Sequence, residues 1–300
     1  DLVGEYPELQ GTMGMYFASE QGFEQDISLA ISDHYLPIGL NSEIPKKPLG
    51  AAVAIIDKID TLVGFFGINE KPTSSKDPFA LRRNAIGLLR IITEKKLNIQ
   101  LKDLINYSIS TYEQQNVKFD NKSVSSDLLL FLRERFKNLL KEKKIRHDII
   151  EAVNSMHLNN DFLSLYNKCI IVNKNISKDL CKNIVETYKR ASNIISHDIK
   201  EKKDSDLGEP QSFLFKLDEE KDLYSKINEI REYFSSTKKH ESYEETLKVL
   251  SQAKIITDNF FENVIVNDEN LDIKKNRLAL LKMFCKTYNN FIDFSKVEGA

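Results

Sequence analysis

Residues 51–90, AAVAIIDKIDTLVGFFGINEKPTSSKDPFALRRNAIGLLR, constrain the fold more than any other stretch. Ile55, Ile59, Leu62, Val63 and Phe66 recur at helical spacing, so one face of the first half is apolar. Asp57 and Asp60, three apart, share a different face. Gly67 stands where a helix-ending glycine is expected, and Pro72, Thr73, Ser74 and Ser75 form a turn. Asp77-Pro78 then predicts an N-cap followed by proline at the first helical position. The second helix is expected to turn Phe79, Ile86 and Leu89 inward, with Arg82, Arg83 and Arg90 beside them.

The same periodicity runs through the chain. Residues 1–20 read as one helix and 24–36 as another, ended by Leu36-Pro37. Leu97–Tyr112 reads as a helix with Leu101, Leu104 and Ile105 inside. Residues 114–126 are polar and predict a domain boundary. Beyond it lie the stripes Leu128, Leu132, Phe136, Leu139, Leu140 and Leu180, Ile184, Tyr188, Ala191, Ile195. Asp148 is expected to cap the helix of Ile149, Ile150 and Val153. Glu201–Ser212, with Gly208 and Pro210, reads as a mobile loop, and Ile273–Phe294 as the last helix. Eleven Gly and seven Pro are few for 300 residues, which favours helices over turn-rich sheet. The expectation is all-α, in two helical bundles: 1–122, a connector 123–185 belonging to the second bundle, and 186–300.

Net charge is −2, which excludes a simple basic nucleic-acid binder. The distribution is uneven: 13 Lys and Arg against 16 Asp and Glu in 1–122, 16 against 10 in 123–203, and 14 against 19 in 204–300. The basic middle third is the natural platform for a polyanion. Cys169, Cys181 and Cys285 form no CxxC pair, and an odd count without a signal peptide points to reduced thiols in the cytoplasm. No apolar run reaches the roughly 18 residues of a membrane span. The chain opens on Asp1 directly into helical pattern, so a C-terminal piece of a longer polypeptide is expected.

Several segments carry a resemblance. DKIDTLVGFF and PTSSKDPFALRR, with DLVGEYPELQGTMG at Asp1–Gly14 and ISDHYLP at Ile31–Pro37, resemble the beta subunits of bacterial tetrameric glycyl-tRNA synthetases. YKRASNI at Tyr188–Ile194, NFFENVIVNDEN at Asn259–Asn270 and NRLALL at Asn276–Leu281 are similar to the DALR-type anticodon-binding domain shared with arginyl-tRNA synthetase. The resemblance implies an HD-like helical domain followed by that anticodon-binding domain. It implies recognition of tRNA-Gly, while an alpha subunit, paired in an alpha2-beta2 tetramer, binds ATP with Mg and attaches glycine. No cofactor is expected in this chain.

Two other functions remain open on the residues. A metal-dependent HD phosphohydrolase needs three or four convergent ligands. Residues 1–33 lack His, His34 is followed by Tyr35, and only Asp57 or Asp60 remains as a late carboxylate. Those two acids are expected to cap, or to pair with Arg82 or Arg83. His147-Asp148 has no partner histidines at helical spacing, and His157, His197 and His240 are scattered. No Ser-His-Asp set, Cys-His set or glycine-rich phosphate cradle is present, so no catalytic residue is assigned. A scaffold that only holds the alpha subunit is the other alternative.

RNA recognition needs cations for phosphates and planar groups for splayed bases. Lys182 and Lys189, with Lys178, fall near one helical face, and Arg190 and Asn193 are adjacent. Lys275, Lys282 and Lys286 share another face at spacings of seven and four, and Arg277 starts the same helix. These are the candidate contacts, although Arg277 fits a buried ion pair equally well. The acidic balance of 204–300 fits recognition through a few bases better than a broad electrostatic footprint.

Overall fold

The computed structural model describes residues 2–73, 75–155, 161–202, 207–236 and 242–298, with side chains described from residue 4 in the first stretch and to 198 in the third. Among them the chain is helical without a strand. It divides into two compact units: Asp1–Lys143 with His157–Tyr166, and Lys144–Met156 with Asn167–Ala300.

The first unit begins with α1 (Leu2–Glu5), a 3-10 turn (Pro7–Leu9), α2 (Thr12–Glu20) and α3 (Gln25–Asp33). The single helix expected over 1–20 is therefore broken, by Pro7 and by Gly11, whose φ of 80° belongs to the left-handed region. α4 (Pro48–Gly67) follows with proline in its first turn. Ile55, Ile59, Leu62, Val63 and Phe66 are all buried on it, as the stripe requires. Gly67 does not cap α4 in a left-handed conformation; Asn69 takes the positive φ of 62°. Instead, a Cβ on Gly67 would collide with the Phe119 ring, so this glycine lets an aromatic side chain close on the helix.

α5 (Leu81–Glu94) starts three residues later than Asp77-Pro78 predicts. Asp77 still serves its N-terminus, accepting from the backbone N–H of Leu81 (2.8 Å) and Arg82 (3.0 Å). Phe79 lies outside the helix and stacks on Phe65 at 4.1 Å, half exposed rather than inward. Arg90 is buried and donates to Glu94 and to the Gly39 carbonyl.

α6 (Leu101–Gln114) buries Leu101 and Ile105. α7 (Asn121–Glu142) packs against α4, α5 and α6. Phe131 meets Phe66 at 5.3 Å, Asp127 pairs with Lys71 at 2.7 Å, and Phe136 meets Phe162 edge-on. The division into units thus falls after Lys143, not at 122. The polar stretch 114–126 is a surface turn plus the opening of α7, and its few apolar residues, Phe119 against Gly67 and the buried Val124, tie it to the first unit.

Lys58, on α4, is 2% exposed and donates only one described bond, to the His34 carbonyl at 3.0 Å. Its stem runs beside Gly87, where a Cβ would stand 2.9 Å from Lys58 Cε. Burial lowers the amine below its ordinary value, and Asp57 opposes this only in part. The unfolded chain holds this proton up to about 10.5, whereas the folded chain releases it earlier. Between the two values the unfolded state binds more protons, so stability rises with pH there. Lys58→Met is expected to flatten that alkaline rise and to leave the unit at least as stable at pH 7. A steeper rise in urea midpoints between pH 8 and 10 would refute this.

The second unit comprises α8 (His147–Asn154), most of α9 (Phe162–Asn175), α10 (Asp179–Lys202), α11 (Asp218–Ser235), α12 (Tyr243–Ser251), α13 (Lys254–Asn263) and α14 (Leu271–Tyr288). Asp148 sits inside α8 and does not cap it. It accepts from Arg146 Nε and Nη2 and from the Glu298 N–H (2.7 Å), fastening the end of the chain. Burial pushes its carboxyl up, but Arg146 and the backbone N–H groups of Glu298 and Ile149 outweigh burial and hold it below the usual value.

α14 is the core helix. Asn276–Leu281, Met283–Cys285, Thr287 and Tyr288 are buried. Tyr288 donates to the Leu250 carbonyl at 2.6 Å and packs on Phe284. The helix ends at Tyr288, six residues short of the expected Phe294, and a 3-10 turn (Phe294–Lys296) follows. The three cysteines are free and buried, which raises all three thiols, Cys181 to about 11. No helix of the described residues is long and apolar enough to cross a membrane.

Candidate functional site

In the first unit His34, Asp57 and Asp60 line one open groove of about 640 Å³, with Ile27, Ile31, Leu49, Val53 and Ile56. The groove is mostly apolar. Asp60 accepts from the Tyr112 hydroxyl at 3.2 Å, and burial followed by Asp60 pushes that phenol up to about 12. The expected partner was Arg82 or Arg83, but Arg82 donates to the Thr73 carbonyl instead. Asp57 is exposed beside Lys58. His34 Nδ1 lies 2.7 Å from the Ile31 carbonyl oxygen, and its ring packs on Tyr35. Among the described residues no three His, Cys, Asp or Glu side chains group so as to hold a metal ion. His157 and His240 lie outside the described residues.

In the second unit the candidate cations fall on α10 and α14. These helices run antiparallel: Asp198 pairs with Lys274 at 2.6 Å near one end, and Tyr188 donates to Asn289 at 3.0 Å near the other. Past its first turn, α14 leaves only Lys275 and Lys286 fully exposed, with Lys282 half-buried between them. Eleven residues at about 1.5 Å each make a stripe roughly 16 Å long on one face. A core helix with this single outward edge has made that edge entirely of lysine.

On α10, Lys182, Lys189, Arg190 and Asn193 lie toward solvent with Glu186, which pairs with Lys254 at 3.8 Å. Arg190 is held differently from the lysines. Its guanidinium lies over the Phe261 ring at 4.4 Å and donates to the Phe261 carbonyl. Packing one face on an aromatic ring keeps a planar cation flat and leaves its other face for a second planar group. Phe261 is half-buried and forms that support.

Arg277 is 4% exposed. Its Nε donates to Glu220 (2.9 Å), and its Nη1 to Asp268 (2.7 Å) and to the Ile265 carbonyl (2.9 Å). Of the two roles open to it, the structure shows the buried ion pair, with donors committed inside the unit. The loop expected over 201–212 also differs. Glu201 and Lys202 close α10, residues 203–206 lie outside the described residues, and from Leu207 the backbone is anchored. The Asn276 side chain accepts from the Gln211 N–H (2.6 Å) and donates to its carbonyl (3.1 Å). Sequence reasoning missed Phe213, which is 77% exposed; in the run Phe213-Leu214-Phe215 nothing in the sequence sets it apart from a core aromatic.

These features are those of an all-helical domain with a cationic edge, and residues 184–298 match the DALR anticodon binding domain. Residues 1–155 match the glycyl-tRNA synthetase beta subunit. The chain belongs to the glycyl-tRNA synthetase beta-subunit family. It is 37% identical over 300 residues to the glycine–tRNA ligase beta subunit of Rickettsia canadensis and 35% identical over 301 residues to that of Paracoccus denitrificans. Each alignment covers 99% of this chain, and the chain spans about 42% of the length of each relative.

Proposed function

We propose that this chain is the tRNA-recognition part of a glycine–tRNA ligase beta subunit. It grips tRNA-Gly so that an alpha subunit, in an alpha2-beta2 assembly in the cytoplasm, joins glycine to the tRNA. ATP and Mg are used on the alpha subunit, and no step of bond-making runs through residues of this chain. One observation carries the reading: the unit that matches an anticodon-binding domain is built on a core helix whose one outward edge is Lys275, Lys282 and Lys286. Arg190, flat on Phe261, adds a planar cation suited to an unstacked base.

The test uses the full-length beta subunit with its alpha subunit and filter binding of tRNA-Gly against a second tRNA across a salt series. Lys275→Ala with Lys286→Ala is expected to weaken both tRNAs to a similar extent. The slope of log affinity against log salt should fall by roughly 1.4–1.8, or about 0.7–0.9 for each phosphate no longer neutralised. Equal binding of the two tRNAs by the unaltered complex would defeat the reading, and so would an unchanged slope in the double variant.

A further inference from the structure

Phe213 is 77% exposed, yet the backbone that carries it is fixed on both sides. It sits in a 3-10 turn (Ser212–Leu214). Before the turn, the Asn276 amide accepts from the backbone N–H of Gln211 and donates to its carbonyl. After it, Phe215 is buried against Tyr224, and Glu220 accepts from the N–H groups of Lys216 (2.7 Å) and Leu217 (2.8 Å). Glu220 is 0% exposed and bonded in turn to Arg277, and Asn276 and Arg277 are neighbours on α14. Two buried polar side chains of the core helix and one buried acid thus fix a turn whose central ring points into water. A Phe left this exposed forgoes most of the free energy that burying its ring would supply. A flexible loop would fold such a ring back; this one is prevented from doing so.

We propose that Phe213 is a stacking platform for an unpaired nucleobase of an RNA loop, with Asn276 and Glu220 as its positioning residues. The proposal rests on the tRNA-recognition reading above and names a contact within it. Two exposed lysines adjoin the residues that fix the turn: Lys216, three residues on from Phe213, and Lys275, next to Asn276 on α14. A fixed ring with cations on the adjoining segments meets the two needs of single-strand recognition, a π-face for the base and charge for the flanking phosphates. It reads no base edge, so it contributes affinity and register rather than base identity.

The experiment places 2-aminopurine at each unpaired position of the anticodon loop of a tRNA-Gly transcript, one at a time, and titrates it with the full-length beta subunit and its alpha subunit. The unaltered complex is expected to quench one position strongly. Phe213→Ala should abolish quenching there and weaken binding by about five- to a hundredfold, the range that removal of a stacking side chain produces. Phe213→Trp should restore both, and Phe213→Leu neither. If Phe213→Ala keeps the quenching and affinity while tRNA-Gly is still preferred over another tRNA, the proposal falls and the broader reading stands. If the unaltered complex shows no such preference, the broader reading falls first. If Phe213→Ala instead loosens the alpha subunit and leaves tRNA binding intact, the ring faces protein and the proposal is overturned.

Discussion

Replacing Arg277 by alanine is expected to destabilise the second unit by about 3–5 kcal/mol, the range for breaking a buried pair by removing one partner. Glu220 has no exposure, and with Arg277 gone its carboxylate keeps backbone donors but loses its counter-charge. Asp268 and the Ile265 carbonyl lose their donor together. Arg277→Lys should recover only part of the loss, because one ammonium cannot reproduce a planar fork that meets three acceptors. Arg277→Met combined with Glu220→Leu should recover more, since no charge is then left buried alone. Hydrogen exchange read on peptides from α11 and α14 is the measurement. Unchanged protection of both helices in Arg277→Ala would show that the network is not what holds them.

In the first unit the largest loss is expected from Phe136→Ala, about 3–5 kcal/mol. The ring is fully buried on α7 and meets Phe162 edge-on at 5.2 Å and 85°. Truncation removes the transfer free energy of the ring and leaves a cavity that rigid helices fill only partly. Phe136→Leu, which keeps most of the apolar volume, should lose about 1 kcal/mol. Faster amide exchange in α4, α5 and α6, the helices that α7 covers, is the expected signature. If exchange rose only within α7 itself, α7 would be an appendage to the first unit instead of part of its core.

Much of this molecule is legible because helix formation is local. The stripe from Ile55 to Phe66 and that from Leu128 to Leu140 are buried as their spacing requires, since residues three and four apart share a face whatever the rest of the chain does. The motif in Pro72–Arg83 pointed to the beta-subunit family that matches residues 1–155, and that in Asn276–Leu281 to the anticodon-binding domain that matches 184–298. Helix ends were less legible. Asp77 does serve a helix N-terminus, but from four residues before Leu81, because Ala80 takes a left-handed turn that no cap rule foresees. Gly67 reads as a terminator by position, whereas its reason is the Phe119 ring, 52 residues away in sequence.

The amino-acid order alone determined the helices of the described residues, the buried faces of Ile55–Phe66 and Leu128–Leu140, the family, and the lysines at 275, 282 and 286 on one edge of a helix. The tertiary structure decided which charged groups are free to act. Arg277 and Lys275 are two residues apart and, by spacing alone, equally plausible as RNA contacts. One is walled in by Glu220, 57 residues away, and the other stands in solvent. Periodicity follows from turns of a single helix, but the environment of a charge is set by segments that meet only once the unit is packed.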